Sequence, residues 1–204
     1  MKFDFVSIGD IVTDAFIKLG QPSGADTHKD AAKHREELCI TFGDKVPYEF
    51  VKVVPAVGNS TNAAVAAARL GLKSANITNQ GEDEVGGRNL EALKENNVST
   101  EYITSHAGMV SNYHYVLWFE AERTILIKHE KYPYVLPDID SPSWIYLSSL
   151  GEHSVEFHDK IGQFIEAHPE VNLAFQPGTF QIKLGYEKLK SLYKKTKIFF
   201  CNKE

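Results

Sequence analysis

The sequence predicts an α/β fold: a mainly parallel β-sheet covered by helices on both faces, with a small separate sheet. Three observations carry that prediction. Short apolar runs of strand length alternate with helical patterns through the first half of the chain, and the alternation repeats in the second half. Two stretches, about residues 15–55 and 110–128, break it with extended rather than helical patterns. Strand–helix alternation implies right-handed crossovers between parallel strands.

The elements follow in order. Phe3, Phe5, Val6 and Ile8 form an apolar run ending at Gly9-Asp10, the pattern of a buried first strand. The clearest helix runs from Ser60 to Leu70. Ser60 or Thr61 can cap it, the alanines at 63, 64, 66, 67 and 68 favour it, and Gly71 stops it. Ala75 to Thr78 reads as a strand and Glu84 to Asn96 as a helix with Val85, Leu90 and Leu93 on one face. Later, Trp144 to Leu147 is a strand, Val155 to Ala167 a helix closed by His168-Pro169, and Leu173 to Phe175 a strand. Leu184 to Tyr193 reads as a helix and Ile198 to Cys201 as a last strand. That strand is apolar at every position, which predicts a central strand buried on both faces. With the chain stopping three residues later, one neighbouring strand and its helix are unaccounted for, as in an incomplete domain.

Of the interrupting stretches, the first holds a polar segment, Gly24 to Glu37, then Leu38 to Phe42 and Phe50 to Val54. The second alternates like a hairpin, with Tyr113, Tyr115, Leu117 and Phe119 on one side and Thr124 to Lys128 returning after Ala121-Glu122-Arg123. The four extended pieces predict a small secondary sheet, of the kind that serves as a lid over a site.

Composition narrows the function. The 204 residues carry 22 Lys+Arg against 27 Asp+Glu, a net charge of −5. With a pI near 5.9 this argues against a nucleic-acid partner, and the short cluster Lys194, Lys195 and Lys197 reads as a solvated helix end. No apolar run approaches the ~18–20 residues of a membrane span, and the N-terminus, with Asp4, lacks an apolar signal core. The expectation is a cytoplasmic protein with no membrane partner. Cys39 and Cys201, each within an apolar run, are expected to be core thiols in a reducing compartment.

Ligands in open α/β sheets collect beyond the carboxyl ends of the strands. That singles out Asp10 and Asp14, Val57 to Asn62, Gly81 to Glu84, Ser148-Ser149, Gln176 and Asn202. Asp14 suits vicinal hydroxyls of a polyol, because an ionised carboxylate only accepts hydrogen bonds; Asn59 and Asn62 both donate and accept. Gly58 lets backbone approach a ligand. From the residues alone, Asp10 and Asp14 either serve this purpose or cap a turn, and Gly58 to Asn62 either line a site or simply begin a helix. Asp83 and Glu84 read as helix-start carboxylates. The eight histidines are scattered without metal-ligand spacing on a helix face, and no nucleophile elbow, P-loop or dinucleotide fingerprint occurs.

The run from Gly58 (Gly-Asn-Ser-Thr-Asn, then Ala64, Gly71, Gly81 and Gly81-Glu82-Asp83-Glu84-Val85-Gly86) resembles the N-terminal signature of the ribokinase (PfkB-type) carbohydrate kinase family. Gly9-Asp10-x-x-x-Asp14 resembles that family's opening strand with its sugar-binding Asp, Asn97 to Ile103 its helix-to-lid passage, Glu122-Arg123-Thr124 its lid turn, and Phe199 to Asn202 the strand before its Asn-x-x-Glu motif. The resemblance spans essentially the whole chain. It implies a ribokinase-like fold, with residues 1–204 the N-terminal part of one kinase domain and lid segments at about 15–55 and 110–128. It also implies transfer of phosphate from ATP, with Mg²⁺, to a hydroxymethyl group of a sugar. Asp14, Gly58, Asn59 and Asn62 would bind the substrate, Asn202 would lie on the nucleotide and Mg²⁺ side, and a homodimer could form through the lid. Three departures stand out: Val57 replaces the first Gly of the usual pair, Ala121 replaces a Gly in the lid turn, and Asn202-Lys203-Glu204 stops one residue short of the motif's Glu. The family's general base is expected beyond Glu204, so no catalytic residue is assigned and these residues alone are expected not to turn over. The alternatives are a nucleoside (adenosine-type) kinase of the same family and a non-catalytic sugar-binding or dimerisation module.

Overall fold

The computed structural model describes residues 2–20, 24–32 and 35–202, so Lys203 and Glu204 of the terminal motif lie outside the described residues. In chain order the elements are β1 (Phe5–Ile8), β2 (Val12–Leu19), β3 (Ala25–Asp30), β4 (Arg35–Ile40), β5 (Tyr48–Val57), α1 (Asn59–Arg69), β6 (Ser74–Gly81), α2 (Glu84–Glu95), β7 (Val98–Ser99), β8 (Ile103–His106), β9 (Tyr113–Phe119), β10 (Glu122–Leu126), β11 (Trp144–Leu147), α3 (Val155–Ala167), β12 (Asn172–Phe175), α4 (Thr179–Leu184), α5 (Lys190–Lys195) and β13 (Thr196–Phe199). The chain divides into two compact units, residues 1–13, 55–112 and 129–204 in the first and 14–54 and 113–128 in the second.

The first unit holds the predicted parallel sheet, in the order β13-β12-β11-β1-β6-β7, with β8 also paired to β6. Every pairing in it is parallel. Val6 and Ile8 of β1 share an apolar cluster with Ile145 and Leu147 of β11, Leu173 and Phe175 of β12, Phe157, Ile161 and Ile165 of α3, and Leu192 of α5. A second cluster joins Ile11 and Ala56 to Ala64 of α1 and Leu93 of α2. Each fully buried Ile, Leu or Phe side chain contributes about 1.5–3 kcal/mol, so these clusters are the main source of stability.

The strand β6 is buried along its whole length although its sequence, Ser-Ala-Asn-Ile-Thr-Asn-Gln-Gly, is mostly polar. Each polar side chain has at least one partner, although the Asn76 Oδ1 atom itself is buried without one. Ser74 Oγ donates to Ala64 O at 2.9 Å, Asn76 Nδ2 to Ser7 Oγ at 2.6 Å and Gln80 Nε2 to Gly86 O at 3.0 Å. Thr78 Oγ1 accepts from Ile11 N at 3.0 Å, and Asn79 Oδ1 lies 2.9 Å from His106 Nε2. Asp83 then caps α2, accepting from Gly86 N at 2.8 Å and from Ser111 N and Oγ at 2.9 and 2.6 Å. Burial alone would raise the Asp83 pKa; these hydrogen bonds to its ionised form outweigh it and the net shift is downward.

Several local expectations are corrected. α1 is capped by no side chain: Gly58 occupies the N-cap, and the Thr61 hydroxyl donates back to its carbonyl. The buried face of α2 is Gly86, Asn89 and Leu93, leaving Val85 and Leu90 half-buried. The single helix expected over 184–193 is two short helices, α4 and α5, because the chain turns at Gly185 with φ +77. β13, by contrast, pairs only with β12 among the described residues and exposes Ile198, Phe199 and Phe200, which agrees with an apolar strand whose other neighbour is unaccounted for. Cys201 is exposed beside them and Cys39 is exposed on β4, so neither is a core thiol.

The second unit contains a four-stranded sheet, β10-β9-β2-β5, and a separate β3–β4 hairpin. The secondary sheet was expected, but its membership differs. Val12–Leu19 takes the place expected for Leu38 to Phe42, which falls in and beyond the hairpin, and the polar stretch 24–37 supplies strands of that hairpin. Most described positions of β3 and β4 are exposed, so no apolar alternation marks them. On β9 the buried residues are His114, Val116 and Phe119, whereas Tyr115 is half exposed. Among the described residues no helix is long and apolar enough to cross a membrane.

Candidate functional site

At the carboxyl end of β1 the chain turns at Gly9 into Asp10. A Cβ on Gly9 would lie 2.5 Å from Ser148 Oγ and 2.9 Å from Ser60 Cβ, so its absence lets the start of α1 and the end of β11 close around this point. Asp10 is buried there. Its amide donates to Ser149 O at 3.0 Å, and its carboxylate accepts from Tyr134 Oη at 2.7 Å and lies 3.5 Å from His129 Nδ1. The Tyr134 oxygen also accepts from Gly151 N at 3.2 Å. Burial, reinforced by the Asp10 charge, raises the Tyr134 pKa strongly, so the phenol stays a donor.

Gly58, the N-cap of α1, has φ +115 and sits against the same turn: a Cβ there would meet Asp10 O at 2.7 Å. The helix that follows buries Ser60, Thr61, Ala64 and Ala67 and leaves Asn59 and Asn62 exposed. Three residues apart, these two asparagines share one face of the helix. Gly58 therefore stands against Asp10, and Asn59 and Asn62 follow it on an exposed face of α1. Asn202 is exposed beyond β13, three strands away from β1, roughly 14 Å at the usual inter-strand spacing. Asp14 belongs to the second unit, where its Oδ1 lies 3.5 Å from His114 Nδ1 and its side chain is 18% exposed.

Beneath the Ser148–Gly151 turn lies a polar network of which the sequence reading singles out only Ser148 and Gln176. Gln181 Nε2 donates to Ser148 O at 2.7 Å and faces His158 Nε2 at 3.2 Å, while His158 Nδ1 lies 2.6 Å from Ser154 O. Gly178 N donates to Gln181 Oε1 at 2.7 Å, and the Tyr146 hydroxyl bonds to Gln176 Oε1. These partners set the His158 tautomer, with Nδ1 protonated and Nε2 accepting. No local motif marks Tyr134, His129, His158 or Gln181; their roles arise from contacts across the fold.

The two histidines respond to pH with opposite sign. The hydrogen bond that His129 donates to the Asp10 carboxylate raises its pKa, against a smaller lowering by burial. Its contribution to stability is therefore full below about pH 6.5 and is lost as pH rises through the raised value. Burial lowers the His158 pKa, only partly offset by the Ser154 carbonyl. The unfolded chain accepts that proton first, so stability falls as pH drops from about 6.5 through the lowered value. Nitrogen-15 NMR at pH 6.5 should find His158 neutral with the proton on Nδ1. A half-protonated ring there would mean that water reaches His158 and the site is not buried.

Comparison with known proteins places this geometry. The family model described as pfkB family carbohydrate kinase matches residues 36–202. The fold matches that of Arabidopsis thaliana ribokinase, solved with ribose and ATP, at a TM-score of 0.71 and 15% identity, covering 98% of this chain and 60% of that one. It matches the Methanocaldococcus jannaschii nucleoside kinase at 0.70 and 13% identity, covering 99% and 62% of the two chains. Cryptococcus neoformans ribokinase, solved with ADP, matches at 0.61 and 16% identity, covering 85% and 49%. The chain thus spans about three-fifths or less of the length of these structures. No curated protein matches it by sequence. A family match over most of the chain and a shared parallel sheet lead to one assignment: the chain belongs to the pfkB family of carbohydrate kinases.

Proposed function

We propose that this chain is the acceptor-binding part of an ATP-dependent kinase that phosphorylates a hydroxymethyl group of a sugar. The observation that carries the reading is the start of α1, where Gly58 lies against the Asp10 backbone and Asn59 and Asn62 share an exposed face. In this reading Asp14 accepts hydrogen bonds from neighbouring sugar hydroxyls, and Asn59 and Asn62 supply groups that both donate and accept. Residues 1–204 are the N-terminal part of one kinase domain. Segments 15–55 and 110–128 act as its lid and exclude water, which otherwise competes as acceptor. Support for the lid limits comes from the second compact unit, residues 14–54 and 113–128.

The A. thaliana and C. neoformans ribokinases, solved with ATP and ADP, support ATP as the donor. ATP supplies the phosphoryl group, and Mg²⁺ neutralises charge that builds up during transfer. The exposed Asn202 amide is suited to the nucleotide side. Among the described residues no group of three or more His, Cys, Asp or Glu side chains is placed to hold a metal ion, so in this reading Mg²⁺ would be held chiefly by the nucleotide phosphates and water. The reading also places the protein in the cytoplasm and allows a homodimer through the small sheet. Exposed Tyr48, Phe50, Val51, Val53, Tyr115 and Trp118 support the dimer.

The M. jannaschii nucleoside kinase match favours a second reading, with a nucleoside as acceptor. Ligand-observed NMR with ribose, fructose and adenosine, run beside an assay of ADP release from ATP and Mg²⁺, separates the two. Saturable binding of a sugar supports the first reading, and adenosine binding alone supports the second. Sugar binding by a gene product that ends at Glu204 and never releases ADP would favour the non-catalytic module. An absence of both binding and ADP release for every probe would overturn the acceptor-binding reading.

A further inference from the structure

Asn89 is given no role by the resemblance, yet it is completely buried and its single carbonyl oxygen joins two distant parts of the chain. Oδ1 accepts from Thr13 Oγ1 at 2.8 Å and from Ala56 N at 2.7 Å. Its Nδ2 lies 3.5 Å from Gln80 Oε1, and Gln80 is held in turn by Gly86 O at 3.0 Å and Ser105 Oγ at 3.2 Å, which fixes the direction the Asn89 amide faces. Thr13 is the residue before Asp14, and Ala56 stands two residues before Gly58 and three before Asn59. Ala56 adopts φ +53, a left-handed conformation uncommon for a residue with a side chain, and its amide is held there by Asn89. A residue needed only to fill space on a buried helix face would be apolar. An amide bonded at once to a strand and to a helix entry sets the backbone at both points.

We propose that Asn89 is a positioning residue for acceptor recognition, acting through Thr13 and Ala56 on the backbone that carries Asp14 and Gly58-Asn59. The inference rests on the reading of Asp14 and Asn59 as hydroxyl-binding residues. Thr13 gives the sharper test. Thr13→Val removes only the hydroxyl: Asn89 Oδ1 keeps its bond from Ala56, and the Thr13 amide keeps its bond to Asn112 O at 3.1 Å.

The test is an NMR titration of the nitrogen-15-labelled chain with ribose, fructose and adenosine to millimolar concentration, following the Asp14, Asn59 and Asn62 amides and measuring melting temperature alongside. Thr13→Val is expected to weaken binding about three- to tenfold, the worth of one hydrogen bond, while the melting temperature stays close to that of the wild type. Thr13→Ser, which keeps the hydroxyl, is expected to restore it. Should the valine variant not fold, Thr13→Ala is read in its place. If the hydroxyl-lacking variant binds like the wild type while Asp14→Ala does not, or if serine fails to restore binding, the positioning role is overturned and the acceptor reading stands. If Asp14→Ala also binds like the wild type, or if no probe moves these amides in the wild type, the acceptor reading fails and takes the proposal with it.

Discussion

Gly58→Ala is expected to destabilise the protein by about 2–4 kcal/mol, from backbone strain together with a steric clash. The strain arises because Gly58 has φ +115, a conformation essentially reserved for glycine. The clash is with Asp10 O, 2.7 Å from the added Cβ, and a backbone carbonyl cannot swing away as the end of a flexible side chain can. Asp10 is itself held by Ser149 O, Tyr134 and His129, so relief would have to come from moving the start of α1, carrying Asn59 and Asn62 with it. In a chain of this size the loss corresponds to a fall of roughly 5–15 °C in melting temperature. Thermal melts of the two proteins decide the matter. A variant melting within about 1 °C of the wild type would show that the turn yields without strain.

Asp14→Ala is expected to weaken acceptor binding about 10- to 100-fold, because a hydrogen bond to a charged acceptor is worth about 1.5–3 kcal/mol. Asp14→Asn keeps the shape and one acceptor oxygen but loses the charge, so its affinity should fall between the two. The pair of variants also separates binding from packing, since His114 Nδ1 lies 3.5 Å from the Asp14 carboxylate and loses that neighbour only in the alanine variant. Calorimetric titration with the sugar that binds the wild type gives the comparison. Wild-type affinity in Asp14→Ala would remove Asp14 from the acceptor site.

How far the sequence could be read depended on whether a residue's environment is local. Trp144–Leu147 and Val155–Ala167 were legible to the residue, because an apolar strand and a helix ending before Pro169 each carry their own signal. The parallel sheet followed from the order of such elements. β6 was underestimated, with four of its residues recognised, because Ser74, Asn79 and Gln80 look like loop residues until their partners at Ala64, His106 and Gly86 are known. Ile198 to Cys201 has a central strand's composition, and among the described residues it has a neighbour, β12, on one side alone. The hairpin β9–β10 was visible in its alternation, whereas β3, polar and exposed, carried no periodicity, and of β4 only the end from Leu38 was read as extended. At the candidate site, Gly58, Asn59 and Asn62 stand in one short run and could be picked out together. Asp10's partners Tyr134 and His129 lie well over a hundred residues away in a stretch without regular structure, and nothing local announces them.

The exposed margin at β13 bears on every experiment above. A strand with one flank open offers unsatisfied N–H and C=O groups, and here Ile198, Phe199 and Phe200 line it with greasy surface. Such a border can take one further strand, whether from the same protein or from a second molecule. Protein concentration is therefore a variable in its own right, and affinities are best taken from dilution series extrapolated to the dilute limit.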